Sequence, residues 1–333
     1  MKQIAIAGAG VMGRLLAWQL ARAGHRVQVV DPASGPHEPG AAAFTAAGML
    51  SPLAEQEHAE PDVVELGWRS LALWPGIAAA LGRPQLVKTE GSLLLAHGCD
   101  AGAAQRVLSR IEDGPEPLNR AALQMLEPAL APDLKAWWLP GEGQVLPCEL
   151  LVALAEQAPG VDWQWGRRAT AVQPHCVELD DGYRLDADLV IDTRGLGAKP
   201  DMATLRGVRG EILWLHAPGV AMHRPVRLMH PRHRVYLVPR PGDVIVVGAS
   251  EVESEDRSPV SLRSAVELMA AAHSVLPALA EARIVHMETN LRPALPDHRP
   301  CVTHERGLLR INGLFRHGWL LAPALAEKAL QHV

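Results

Sequence analysis

The sequence has little cysteine, and the few residues it has are far apart. The 333-residue chain contains four cysteines, none of them in a Cys-x-x-Cys pair: Cys99, Cys148, Cys176 and Cys301. Scattered cysteines argue against a disulfide framework or a zinc site and favour a reducing compartment. We therefore predict no metal centre.

An apolar run long enough to cross a membrane is also missing, since a transmembrane helix needs about 18 apolar residues. The chain starts a strand by residue 3 and shows no secretion signal. Its net charge of −5 is mild, which disfavours binding to nucleic acid or to an anionic membrane surface. These absences predict a cytoplasmic protein with neither kind of partner, and they leave homo-oligomerisation open.

What the sequence does contain is a complete dinucleotide-binding pattern in residues 3–31. A short apolar strand leads into Gly8-x-Gly10-x-x-Gly13, a helix follows, and a second strand ends in Asp31. Gly8 permits a tight turn, Gly10 lets a pyrophosphate approach the backbone, and Gly13 lets the helix pack closely. A carboxylate at Asp31 can accept hydrogen bonds from a ribose. The pattern predicts nucleotide binding, with an ordinary glycine-rich turn as the alternative.

The fingerprint alone does not distinguish NAD from FAD, because both carry the ADP half that it recognises. Residues 40–51 (GAAAFTAAGMLS) are a run of small residues with Thr45 and Gly48. Such a segment can lie flat against a cofactor because it has little side-chain bulk. Taken alone, it is equally consistent with the start of an alanine-rich helix.

The rest of the chain alternates between two kinds of structure. The patterns predict helices at 62–82 and 259–280, a strand at 85–96, and a helical segment at 101–139. Asp-Gly and Pro-Gly pairs predict hairpins at 181–182 and 241–242. Parallel-sheet segments alternating with antiparallel ones indicate a discontinuous nucleotide domain with a second domain inserted in two portions.

The C-terminal segment 312–330 combines a basic turn with a helix. Arg316 and His317 lie in a turn flanked by glycines, and an apolar helix is predicted from Trp319 onward. A helix N-terminus favours electron-rich groups, because its first N–H groups are unpaired and its dipole is positive there. Without further context, the two basic residues are better explained as a solvated surface turn.

Several motifs together give the chain a family resemblance over nearly its whole length. They are GAGVMG with Asp31, TAAGML (45–50), VRGE (208–211), VYLVPR with VVGAS (235–250), NLRPALPD (290–297) and GLFRHGWLLAP (313–323). In order and spacing they resemble the FAD-dependent D-amino-acid oxidase superfamily, most of all its bacterial glycine oxidases of thiamine (thiazole) biosynthesis.

The resemblance implies an α/β plus α+β fold, in which a Rossmann-like FAD-binding domain carries an inserted antiparallel-sheet substrate domain. The FAD-binding domain would comprise 1–84, 140–205 and 283–333. The substrate-binding domain would comprise 85–139 and 206–282.

The resemblance also implies a set of cofactor-binding residues. Around the ADP part of FAD these are Gly8, Gly10, Gly13 and Asp31, with Ala169 at the adenine, and further cofactor-binding residues are Val11, Met12, Pro32 and Gly195. Beside the isoalloxazine they are Ala47, Gly48 and Met49, and around its pyrimidine side Leu314, Phe315, Arg316, His317, Gly318, Trp319 and Leu320. Cys301 does not match the covalent flavin cysteine of related sarcosine oxidases, so we expect non-covalent FAD.

Three residues would serve the substrate. Arg292 would pair with a carboxylate, Tyr236 would add a hydrogen bond to it, and Arg316 would lie near substrate and flavin. The alternative for Arg292 is a surface arginine paired with Asp297. No nucleophile–base triad is visible in the sequence, and the flavin would carry the redox step.

The implied reaction is oxidative deamination of glycine or a small D-amino acid to the imine and 2-oxo acid. Molecular oxygen would be the acceptor, with hydrogen peroxide released, and the role would be in thiamine thiazole biosynthesis. Two alternatives stay open. One is oxidation of a secondary amine, either sarcosine-like or a carboxymethylaminomethyl group, or flavin-dependent dehydrogenation. The other is a flavin-binding protein without catalytic activity.

Overall fold

The computed structural model describes residues 1–56, 60–109, 114–229 and 234–333. Within those residues, no helix is both long and apolar enough to span a bilayer. The described α-helices are α1 (Val11–Arg22), α2 (Ala42–Thr45), α3 (Pro52–Glu55), α4 (Pro61–Ala80), α5 (Ala101–Leu108), α6 (Arg120–Leu126), α7 (Pro147–Glu156), α8 (Leu262–Val275) and α9 (Gly318–Leu330).

The strands of the same residues form sheets of six, eight, three and three strands. In chain order they are β1 (Gln3–Ala7), β2 (Arg26–Asp31), β3 (Met49–Leu50), β4 (Val87–Lys88), β5 (Ser92–Ala96), β6 (Glu116–Leu118), β7 (Lys135–Leu139), β8 (Gly143–Val145), β9 (Asp162–Trp165), β10 (Ala169–Gln173), β11 (Cys176–Leu179), β12 (Arg184–Asp186), β13 (Leu189–Asp192), β14 (Arg206–His216), β15 (Val226–Met229), β16 (Arg234–Arg240), β17 (Val244–Gly248), β18 (Arg283–Ala294), β19 (Cys301–Glu305) and β20 (Leu308–Asn312).

The six-stranded sheet has the order β19-β20-β13-β1-β2-β9 and is parallel except for β19. Its central strand β1 is apolar on both faces because helices cover one face and the three-stranded sheet β10-β11-β12 covers the other, so that both faces are buried as parallel sheets require. Ile4, Ile6 and Leu15 are fully buried there, and Trp74 of α4 packs into the same core. The predicted Rossmann-like domain is confirmed.

The eight-stranded sheet has the order β18-β14-β17-β16-β15-β5-β7-β6. Its pairs are antiparallel apart from β5 with β15. Leu213, Leu237 and Val247 alternate into a core that Leu268 of α8 completes. The opposite face is buried at the centre of the sheet as well, where Val246 packs with Ala47. This is the predicted antiparallel sheet.

Both predicted hairpin turns are present, at Gly182 and Gly242, each with a positive φ. The domain boundaries stay a proposal, and one of them shifts. We assigned everything from residue 283 to the FAD-binding domain, but Arg283–Ala294 pairs with β14 along its whole length. Sheet pairing therefore favours a boundary after Ala294.

Two predicted elements were wrong in detail. The segment 85–96, predicted as a single strand, contains two strands, because the chain turns at Gly91, where φ is +81°. The Trp138 ring packs so closely on Gly91 that a Cβ there would lie 2.1 Å from it. The segment 101–139, predicted helical, contains α5 and α6 but also β6 and β7. Its prolines interrupt helices, and the Trp137-Trp138 pair favours a strand.

A buried glutamate, Glu142, connects α3 to β5. Glu142 is fully buried, and its carboxylate accepts hydrogen bonds from the Ser92 hydroxyl (2.6 Å) and the Leu53 N–H (2.8 Å). Burial raises the pKa of Glu142 to about 7, although these hydrogen bonds oppose the shift. The folded protein thus keeps a proton that the unfolded chain releases above about pH 4.5.

This proton makes stability pH-dependent. Below the pKa of Glu142 in the unfolded chain, this stabilisation is fully present, and it is lost as the pH rises through about 7. The free energy of unfolding should fall by up to about 1.4 kcal/mol per pH unit in that range. Replacing Glu142→Gln should flatten the dependence, since an amide stays neutral. Urea unfolding between pH 5 and 8 measures both slopes, with exposed Glu149→Gln as the control. A Glu142→Gln slope as steep as wild type would assign the effect to another group.

Candidate active site

The glycine loop between β1 and α1 is built so closely that two of its glycines admit no side chain. A Cβ on Gly8, where φ is +100°, would lie 2.7 Å from the Thr193 carbonyl oxygen. A Cβ on Gly13 would lie 1.9 Å from the Gly8 carbonyl oxygen. Gly10 precedes α1, and no side chain caps the helix there. The first N–H groups of α1 are therefore available to an anionic ligand.

Asp31, at the end of β2, holds this loop in place. Its carboxylate accepts hydrogen bonds from the backbone N–H groups of Ala9 (2.6 Å) and Ala33 (2.9 Å). One carboxylate thereby fixes both the glycine loop and the segment after β2. The sequence predicted a ribose contact for Asp31, and that role remains a prediction.

A second helix start lies at the other end of the chain. Phe315 adopts φ +49°, uncommon for a bulky residue, and is held by its N–H to the Pro293 carbonyl oxygen (2.8 Å) and by stacking on His298 (4.5 Å between ring centroids). In the described part of the chain, nothing accepts a hydrogen bond from the N–H groups of Gly318, Trp319 or Leu320. The turn thus presents three free donors.

One cavity of about 1460 Å³ connects both helix starts with the eight-stranded sheet. Of the predicted site residues only Gly13 is absent from its wall, because Gly13 packs beneath Gly8. Those that line it are Gly8, Gly10, Val11, Met12, Asp31, Pro32, Ala47, Gly48, Met49, Ala169, Gly195, Tyr236, Arg292, Leu314, Phe315, Arg316, His317, Gly318, Trp319 and Leu320.

The residues fit a large dinucleotide such as FAD. Free N–H groups lie at both helix starts, and the small-residue segment between them leaves room for a flat ring. Gly48 has φ +66°, and a Cβ there would lie 2.7 Å from the Val145 carbonyl oxygen. The Ala47 carbonyl accepts a hydrogen bond from Arg240. In the described residues no group of His, Cys, Asp and Glu is arranged to hold a metal ion.

Arg292 enters the cavity from β18. It donates from Nη1 to the carbonyl oxygens of Ser250 (3.1 Å) and Arg209 (3.3 Å), and no carboxylate of the described residues pairs with it. Burial lowers the pKa of Arg292, although Tyr236 and Glu251 oppose the shift. The alternative partner, Asp297, instead accepts from the Arg299 N–H (3.1 Å). The surface-pair interpretation is therefore wrong.

A glycine makes room for Arg292, and a polar network supports it. A Cβ on Gly210 would lie 2.5 Å from the Arg292 guanidinium. Behind it, buried Glu211 accepts from the Ser250 hydroxyl (2.8 Å) and from Arg209 Nη2 (2.7 Å). Burial would raise the pKa of Glu211, but hydrogen bonds from serines, a backbone N–H and Arg209 lower it to about 2. The carboxylate stays ionised and fixes the loop that Arg292 contacts.

Tyr236 lies on β16, opposite Gly248 of β17 and Arg227 of β15. A Cβ on Gly248 would lie 2.6 Å from the Tyr236 hydroxyl oxygen, so the glycine admits the ring. Burial raises the pKa of Tyr236, although nearby arginines, Arg292 first among them, oppose the shift. The hydroxyl therefore keeps its proton and can act as a donor.

Sequence reasoning missed a carboxylate at this site, Glu55 of α3. Its Oε2 lies 2.7 Å from Arg316 Nη2 and 3.0 Å from His317 Nε2, and its Oε1 lies 3.6 Å from Arg227 Nη1. Burial would raise the pKa of Glu55, but Arg316, His317 and Arg227 hold it well below the usual range. No local pattern signals Glu55, because its partners are far away in sequence. Arg316 and His317 are therefore not the solvated turn that the segment alone suggested.

The predicted role of Asp31 can be tested by replacement. Asp31→Ala should weaken FAD binding by about 10- to 150-fold, the loss of one charge-assisted hydrogen bond worth about 1.5–3 kcal/mol. Titration of the apoprotein with FAD measures the affinity. Asp31 also holds the loop, so a second variant is needed. Asp31→Asn removes the negative charge but keeps one acceptor oxygen, and it therefore distinguishes the effect of the charge from that of the hydrogen bond. Unchanged affinity in both variants would mean that Asp31 does not serve the cofactor.

Comparison with known proteins agrees with this geometry. The family described as FAD dependent oxidoreductase (DAO) matches residues 3–331. A Rhizobium etli protein named for thiamine biosynthesis, the oxidoreductase ThiO, is 41% identical over 332 residues, which cover 99% of this chain and 96% of the relative.

Solved structures give the same result. Glycine oxidase from Geobacillus kaustophilus superposes with a TM-score of 0.87 at 26% identity, covering 100% of this chain and 95% of the other. Iminodiacetate oxidase from Chelativorans sp. BNC1 superposes with a TM-score of 0.84 at 25% identity, covering 97% and 93%.

Proposed function

This chain belongs to the family of FAD-dependent oxidoreductases, and we propose that it oxidises the amine of glycine or of a small D-amino acid. FAD is the cofactor of this family, and the cavity fits it. The names of the relatives, a glycine oxidase and a thiamine biosynthesis oxidoreductase, support the substrate and a role in making the thiazole of thiamine. The observation that carries the proposal is Arg292, a cation in the cavity that forms no ion pair with a carboxylate of the described residues.

The substrate's carboxylate would bind to the Arg292 guanidinium, whose planar fork can donate two parallel hydrogen bonds. Nη1 is partly used by two carbonyl oxygens, which orient the group. The Tyr236 hydroxyl would donate to the same carboxylate, since its raised pKa preserves the proton. With the carboxylate fixed at two points, the Cα–H of a small amino acid is restricted to fewer orientations.

Bound FAD would accept the two electrons of the substrate's Cα–H bond. The glycine loop and α1 would hold its pyrophosphate, and the small segment 47–49 would leave space for its ring. The free N–H groups at the start of α9 would face its electron-rich edge, where preorganised donors stabilise developing charge. The oxidised substrate is an imine, which water hydrolyses to the 2-oxo acid and ammonia.

We also propose that molecular oxygen accepts the electrons and leaves as hydrogen peroxide, and that FAD is held non-covalently. Acid precipitation should then release all of the flavin into the supernatant. Flavin retained on the precipitated chain would contradict the non-covalent assignment.

The decisive experiment is a peroxide assay with glycine, D-alanine, sarcosine and iminodiacetate, paired with anaerobic bleaching of the flavin absorbance. Highest kcat/KM with glycine or D-alanine supports the proposal. A clear preference for sarcosine or iminodiacetate would favour the secondary-amine alternative. Bleaching without peroxide would indicate a dehydrogenase with another acceptor. No bleaching with any amine would leave the non-catalytic flavin protein as the answer.

A further inference from the structure

We propose that Glu55 determines which substrate charge the site accepts: it is the shared counter-ion of two arginines beside the substrate position and thereby restricts substrates to a single carboxylate. This rests on the proposed function, in which Arg292 binds one carboxylate. The negative charge of Glu55 would explain why a cavity lined by several arginines does not prefer dicarboxylates.

The sheet places a second arginine beside the substrate position. Arg227 of β15 and Tyr236 of β16 are directly opposite each other in an antiparallel pair, so their side chains share a face. Both line the cavity. Arg227 therefore lies next to the hydroxyl that would bind the substrate carboxylate.

Arg316 approaches from the opposite wall, on the turn before α9. Its charge reaches Arg292, whose pKa burial lowers first and Arg316 lowers further. The side chains of Arg316 and Arg227 are 18% and 12% exposed. Neither can rely on water to screen its charge, so each needs a counter-ion within the site.

Glu55 supplies that counter-ion to both. Its two oxygens divide between them, with Oε2 2.7 Å from Arg316 Nη2 and Oε1 3.6 Å from Arg227 Nη1. Arg227 also donates to the Ala54 carbonyl oxygen (3.1 Å), which fixes it to α3. Arg316 has a further, more distant carboxylate in Glu251 (3.5 Å), which is 46% exposed.

The charge arithmetic follows from these contacts. With Glu55 ionised, Arg227 has the Glu55 carboxylate as its counter-ion, and Arg316 has the carboxylates of Glu55 and Glu251. A second substrate carboxylate would meet arginines already engaged and would also be repelled by Glu55, the device by which sites reject a competing ligand. If the carboxylate of Glu55 were neutral, the same substrate carboxylate would become the missing counter-ion.

The test compares two ligands that differ only in this charge. Iminodiacetate carries two carboxylates, and its monoamide, N-(carbamoylmethyl)glycine, has the same shape with one. In Glu55→Gln we expect the ratio of kcat/KM for iminodiacetate to that for the monoamide to rise at least about tenfold over wild type. Both rates come from one preparation, so partial loss of folded protein cancels in the ratio.

Binding without turnover gives an independent readout. Malonate and its monoamide, malonamate, are titrated into the FAD-loaded protein while the flavin absorbance is followed. The ratio of their dissociation constants should shift toward malonate in Glu55→Gln. Glu55→Asp, which keeps the charge, should retain the wild-type ratio, and Glu55→Gln/Arg227→Met should lose most of the gain.

The outcomes separate this inference from the function it builds on. If Glu55→Gln leaves both ratios unchanged while wild type still oxidises a monocarboxylate, Glu55 does not select substrate charge and the proposed function stands. If wild type neither oxidises a monocarboxylate amine nor binds malonamate, the proposed function itself fails. An equal shift in Glu55→Asp would attribute the effect to geometry, and would overturn the charge argument.

Discussion

Replacing Arg292→Met is expected to lower kcat/KM for an amino acid by about 30- to 4000-fold, because removing one partner of a desolvated charge pair costs about 2–5 kcal/mol. Among the described residues, Arg292 donates hydrogen bonds to two carbonyl oxygens and forms no ion pair with a carboxylate, so the variant breaks no ion pair there. Methionine fills similar space without the fork. The loss should therefore come from substrate binding and orientation, and not from unfolding.

Two comparisons make this result specific. Arg292→Lys should recover only part of the activity, since a lysine cannot make two parallel hydrogen bonds. Methylamine, which is glycine without its carboxylate, should be oxidised equally by wild type and Arg292→Met, however slowly. Peroxide formation under steady-state conditions measures all four combinations. Equal losses for both amines would remove Arg292 as the carboxylate anchor.

Replacing Gly13→Ala should abolish tight FAD binding, with a loss of at least about 100-fold in affinity. The new Cβ would lie 1.9 Å from the Gly8 carbonyl oxygen and 2.8 Å from the Thr193 hydroxyl. Backbone must move to relieve the overlap, which we expect to cost about 3 kcal/mol of unfolding free energy or more. Affinity and stability should therefore fall together.

Two other glycines of the same region provide the contrast. A Cβ on Gly10 meets only the Ala41 side chain, at 3.8 Å, and one on Gly35 meets nothing within 4 Å. Gly10→Ala should thus leave the apoprotein's melting temperature unchanged and weaken only FAD binding, while Gly35→Ala should change neither. FAD titration and thermal unfolding of the apoproteins measure both quantities. A Gly13→Ala protein as stable as Gly10→Ala would contradict the packing argument.

Local sequence signals predicted much of the nucleotide-binding half correctly. The strand, glycine loop, helix and acid of residues 3–31 occur in a single unit, and every turn in it depends on its own residues. The same is true of the hairpins at Gly182 and Gly242, where φ is positive. Such features are decided within a few residues, so a single sequence is sufficient to identify them.

The segment 101–139 shows where local signals end. Its leucines and alanines favour a helix, but its prolines and paired tryptophans place part of it in the eight-stranded sheet. Whether Trp137 and Trp138 join a strand depends on β5 and β6 being available on either side. That depends on pairing partners elsewhere in the chain, which propensity does not describe.

The sequence by itself determined the fold family and the cofactor loop, and it identified many of the residues that line the cavity. Only the tertiary structure decided their electrostatics. Glu55 meets Arg316 and Arg227 across 261 and 172 positions of the chain, and Arg292 forms no ion pair with a carboxylate of the described residues. Charge pairing depends on distance in space, and a linear pattern carries that distance only through the fold.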